Sequence, residues 1–73
     1  MYFLGYGQRK KGSSGREYSA VFDPVVGAYS EMSAQSIAGS MWKSIILTEN
    51  FEYDFLGLYV KTDNELERLT FEP

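Results

Sequence analysis

The chain has 73 residues, of which 44% are hydrophobic and 16% aromatic, and it carries a formal net charge of −3 at pH 7. That length supplies one hydrophobic core and excludes a second domain. The absence of cysteine and histidine excludes disulfides, thiol nucleophiles, imidazole bases and the two commonest transition-metal ligands.

In chain order, the first predicted element is a strand over 2–10. It ends in Lys11-Gly12-Ser13-Ser14-Gly15, whose glycines and serines tolerate the backbone angles of a hairpin loop. The return strand is expected over 16–22, with Tyr18, Ala20 and Phe22 alternating against Glu17, Ser19 and Val21. Asp23-Pro24 interrupts it, because proline lacks a ladder donor and restrains the residue before it. Residues 25–29 are then either a continuation after a bulge or a short separate strand.

Ser33 is the expected helix cap, with Met32 and Ile37 as a hydrophobic staple. Ala34, Ile37, Ala38 and Met41 recur at i, i+3, i+4 and i+7, one face of a helix ending near Lys43. A helix of that length needs a sheet to lie on, and the small face of Ala34 and Ala38 allows close approach. A β-rich segment follows over 44–48, then a strand over 53–61 and a last strand over 66–71. Period two puts Leu56, Leu58 and Val60 on one side of the 53–61 strand, beneath the helix. Tyr53, Phe55, Gly57, Tyr59 and Lys61 fall on the other, open side. The expected fold is a two-layer α+β domain: an antiparallel sheet of about five strands with one short helix on one face, in the order ββ(β)αβββ.

Charge is unevenly placed. Residues 1–22 hold four basic residues (Arg9, Lys10, Lys11 and Arg16) against one acidic, whereas residues 23–73 hold three basic against nine acidic. The basic group gathers at the first hairpin, where it can meet phosphates or an acidic protein surface; the bland alternative is a solvated hairpin tip. Tyr6, Tyr18, Tyr53, Phe55 and Tyr59, with Tyr2, can line a sheet face that anchors a protein or stacks bases, or can simply fill the core. Trp42 reads as a core plug or an interface rim. The acidic series from Glu49 to Glu72 can imitate a phosphate backbone or can be ordinary solvated surface. Asp63-Asn64-Glu65 lacks the length and glycine pattern of a calcium loop, and Gly5-Tyr6-Gly7 sits inside a strand where a phosphate loop would precede a helix. No catalytic, cofactor or metal residues are therefore assigned. The opening Met1-Tyr2-Phe3-Leu4-Gly5 has neither the basic start nor the apolar stretch of a signal peptide, so a cytoplasmic, non-membrane protein is expected.

The strand hairpin, the helix opening Ser30-Glu31-Met32-Ser33-Ala34-Gln35-Ser36-Ile37-Ala38-Gly39-Ser40 and the later Gly57-Leu58-Tyr59-Val60-Lys61-Thr62-Asp63 resemble small phage-encoded inhibitors, including some anti-CRISPR proteins. The resemblance lies in size, element order and helix opening, and no diagnostic residue carries over. It implies a non-catalytic inhibitor that binds a host protein or ribonucleoprotein complex, such as a CRISPR surveillance complex, and obstructs it. The chain's acidic balance departs from the basic members of that group. Two alternatives stand beside it: a nucleic-acid-binding module built on the basic hairpin and tyrosines, and a homodimer or larger homo-oligomer that buries the aromatic face.

Overall fold

The structure is a computed structural model, which describes every residue except 13, 14 and 16. Four strands and one helix run in the order β1 (Tyr2–Lys10), β2 (Ser19–Pro24), α1 (Glu31–Ile45), β3 (Phe51–Thr62) and β4 (Glu65–Leu69). The strands form one antiparallel sheet in the spatial order β2-β1-β3-β4. The α+β class is as expected; the sheet has four strands, where about five were predicted.

The strand predicted over 44–48 is absent, and residues 25–29, which the sequence left open between a continued and a separate strand, form neither. Residues 26 and 27 make a turn, and the first residue of the 44–48 segment pair, Ser44, together with Ile45, belongs to α1. The β-branched composition around Ile45 and Ile46 suggested a strand, but Ile37, Met41 and Ile45 are spaced one helical turn apart and all pack on the core. Burial of that stripe outweighs intrinsic β preference.

The helix also begins earlier than predicted. Ser30 is the cap, its hydroxyl accepting from the Ser33 N–H at 3.2 Å, while the Ser33 hydroxyl accepts from the Ser30 N–H at 3.0 Å. Ser33 is thus the third helical residue of a reciprocal capping box. The expected staple does not form, since Met32 is 82% exposed.

The main correction concerns the faces of β3. Leu4 pairs with Leu58 and Gly5 with Gly57, but Tyr6 pairs with Phe55, so Leu56 is an extra residue in the ladder. This β-bulge shifts the alternation by one. Tyr53 and Phe55 therefore join Leu58 beneath the helix, and do not share the open face with Tyr59. Gly57 adopts φ 141°, a conformation that L side chains rarely reach, which makes glycine the natural residue at the bulge.

The buried core is Leu4, Tyr6, Val25, Ala34, Ala38 and Leu58. The two alanines, both fully buried, bring α1 close to β1. Trp42 packs against Tyr6, Tyr53 and Phe55 with ring centroids 6.0, 6.4 and 5.1 Å apart, an edge-to-face and tilted cluster of the kind aromatic quadrupoles favour. After β4 the chain turns back under the helix. Phe71 lies 6.0 Å from Phe55 between ring centroids, and Gln35 Nε2 donates to the Thr70 carbonyl at 3.4 Å.

Candidate interaction face

With α1 on one side of the sheet, no other element covers the opposite side among the described residues. Strand alternation assigns Phe3, Gly5, Gly7 and Arg9 of β1 to this open face, with Phe22 and Ala20 opposite Gly5 and Gly7 on β2. From β3 come Glu52, Asp54, Gly57 and Tyr59, and from β4 Leu66 and Arg68.

Glycine makes the shape of this face. An added Cβ at Gly5 would lie 2.7 Å from Tyr59 Cε1 and 3.0 Å from Phe22 Cε1, and one at Gly7 would lie 2.8 Å from Tyr18 Cβ. The glycines of β1 are thus a trough into which neighbouring aromatic rings lie down, and both are buried beneath them. Phe22 and Tyr59 meet edge-on at 5.2 Å. Arg68 crosses Gly57, its Cγ 3.5 Å from where a Cβ would be. Tyr18 and Phe22 remain 38% and 39% exposed, so the rings form a surface and not a second core.

Polar groups frame the rings. Arg9 donates from Nε and Nη2 to Glu52 Oε2 at 3.0 and 2.8 Å, and its guanidinium sits 4.5 Å over the Tyr18 ring, a cation–π geometry. The hydrogen bond to Glu52 is the largest cause of the raised Arg9 pKa. Held between a carboxylate and a ring, Arg9 is a structural side chain of the face.

The residues singled out in the sequence divide accordingly. Tyr18 and Tyr59 lie on the open face. Tyr6, Tyr53 and Phe55 do not: Tyr6 is 5% exposed and all three pack with Trp42 under α1, because the bulge reverses the parity from which Tyr53 and Phe55 were placed. Tyr2 also packs on the core. Lys10 and Lys11 are exposed at the end of β1, where the Lys11 N–H donates to the Asn50 carbonyl at 3.0 Å; Arg16 lies outside the described residues. Phe3, Phe22 and Arg68 are face residues that the sequence reading did not select. Their signal was Gly5 and Gly7 at alternate positions of a strand, which announces side chains or a ligand approaching the backbone.

Among the described residues there is no group of three or more acidic side chains placed to hold a metal ion, and no helix is long and apolar enough to cross a membrane. No protein-family model matches the chain, and no curated protein or solved structure matches it either.

Proposed function

We propose that this chain is a non-catalytic protein-binding module whose contact surface is the open sheet face. One observation carries the reading: Phe3, Tyr18, Phe22 and Tyr59 lie together, partly exposed, on a face floored by Gly5 and Gly7. Rigid aromatic rings with an arginine beside them have the composition of protein-binding hot spots, since they bury much area at small entropic cost.

The charges on the face favour a protein over a nucleic acid. Arg9 is engaged by Glu52, and Asp54 lies opposite Gly7, so phosphates would meet carboxylates there. In this reading the partner is a host protein or ribonucleoprotein complex and the action is occlusion, as the resemblance to anti-CRISPR inhibitors implies.

The test is capture from bacterial lysate on the immobilised chain, with recovered proteins identified by mass spectrometry and retitrated in pure form. Tyr18→Glu and Arg68→Glu, both at exposed positions, are expected to weaken the retitrated interaction about tenfold or more each while leaving the circular dichroism melt in place. Undiminished affinity in both variants removes the sheet face from consideration. Retention of nucleic acid alone, lost at high salt, replaces the protein reading with the nucleic-acid one.

A further inference from the structure

The two flanks of the helix are unequal. On the β4 side the chain's own tail is folded in, with Phe71 against Phe55. On the β2 side Val25 and Ala28 pack on the core and Gly27 approaches Ile37, but among the described residues nothing covers the stretch beyond them, and a groove remains between α1 and β2, lined by Ile37, Met41 and Ile45, by Ser40 and Ser44, and by Asp23.

Among the described residues the outer backbone edge of β2 has no strand partner. The Val25 N–H donates to the Tyr2 carbonyl at 2.8 Å. In an antiparallel ladder, inward-bonding residues alternate from that point, so Asp23, Val21 and Ser19 bond to β1 while Phe22 and Ala20 turn their N–H and C=O groups outward. Pro24 falls in the outward set, where its missing N–H costs no ladder bond. The two sheet edges also differ in protection. β4 carries Glu65, Glu67 and Arg68 on five residues, whereas β2 carries only Asp23 on six. Charged edges resist strand addition and uncharged ones invite it.

Asp23 fixes the character of the occupant. Its Oδ2 accepts the Tyr6 hydroxyl at 2.6 Å, and among the described residues no cation pairs with it. One carboxylate beside two serine hydroxyls and an Ile–Met–Ile wall matches a long aliphatic stem ending in a cation. A second copy of this chain fits poorly, because its β2 would bring Ser19, Val21 and another Asp23 to the groove, adding an acid where a base is wanted.

We propose that the outer edge of β2 receives an extended segment of a partner protein, which adds a fifth strand to the sheet and places a lysine or arginine, flanked at alternate positions by aliphatic residues, into the groove beneath α1. Main-chain pairing at Ala20 and Phe22 supplies the binding and the Asp23 groove the selectivity, as in other strand-addition complexes. The side chains of Ala20 and Phe22 belong to the open sheet face, but this site uses their outward backbone groups together with the Asp23 side chain on the helix side, and its test does not involve Tyr18 or Arg68.

A random-peptide phage library selected on the immobilised full chain tests it. Recovered sequences are expected to carry Lys or Arg with Leu, Ile, Val or Met two positions away. The corresponding synthetic peptide should shift the amide resonances of Ala20 and Phe22. It should bind about tenfold more weakly to Ala20→Pro, which removes an outward donor, and a variant peptide with Glu for its basic residue should be rejected by the native chain but not by Asp23→Asn. Since Ala20→Pro can disturb β2 itself, the Asp23→Asn comparison stands as the second criterion. The proposal is overturned by a library that yields no enrichment, by enriched sequences without a basic residue, or by equal binding of the Lys and Glu peptides to the native chain. Concentration-dependent dimerisation in sedimentation, abolished by Ala20→Pro, likewise overturns it by giving the edge to a second copy.

Discussion

An alanine at position 5 would push its methyl group to 2.7 Å from one ring and 3.0 Å from another. Both rings belong to side chains already packed on each other, so the clash is relieved only by parting them. Gly5→Ala is expected to cost about 1–3 kcal/mol in a urea titration. Gly39 is the contrasting case, because no atom lies within 4 Å of its added Cβ and it sits inside α1. There Gly39→Ala should raise stability by about 0.5–1 kcal/mol. A third residue, Tyr6, ties stability to alkaline pH. Burial, and then the hydrogen bond and charge of Asp23, push its hydroxyl pKa well above the ordinary value. As pH climbs, the unfolded chain releases this proton first, so the stabilisation is whole below about pH 10 and declines above it. The denaturation midpoint should fall on the alkaline side of that point, and Tyr6→Phe should flatten the fall.

Among the elements, β3 teaches most about what a sequence exposes to inspection. Counting by twos along it places Phe55 with Tyr59, and nothing in the pattern of apolar residues marks Leu56 as supernumerary. Gly57 in mid-strand was the available sign. Removing Leu56 should restore a plain ladder with Tyr53 and Phe55 still beneath the helix, because the residues on either side are already in register with β1. The near-ultraviolet dichroism of the Trp42 cluster should survive that deletion. Gly57→Ala should cost more stability in the full chain than in the deletion variant, where the glycine conformation is no longer required. The first strand, by contrast, was predicted at its observed ends, since a Gly/Ser loop punctuates it. The helix start was misplaced by three residues because Ser30 and Ser33 are both competent caps, and only the structure shows which hydroxyl faces which N–H. Of the candidate site, Tyr18 and Tyr59 were legible and Phe22 was not; selecting it needed the strand pairing that sets it over Gly5.

For the molecule as a whole, the fully buried side chains are few, and Leu4 and Leu58 are the largest of them. A single core in a domain of this size rarely supplies more than about 3–5 kcal/mol of net stability, and truncating a buried leucine typically costs about 2–5 kcal/mol. Leu58→Ala is therefore expected to leave a largely unfolded population at room temperature, visible as loss of both far-ultraviolet signal and Trp42 dichroism. The placement of β1 has a consequence for how the protein is made. β1 leaves the ribosome before the other strands yet is an interior strand of the finished sheet, and it lies between β2, available almost at once, and β3, which is synthesised only after the whole helix. Until β3 arrives, Leu4 and Tyr6 have lost half their shelter and β1 shows an unprotected edge to the cell. Synthesis pauses within 25–50 would prolong that exposure, and nascent chains stalled there are the ones expected to engage chaperones.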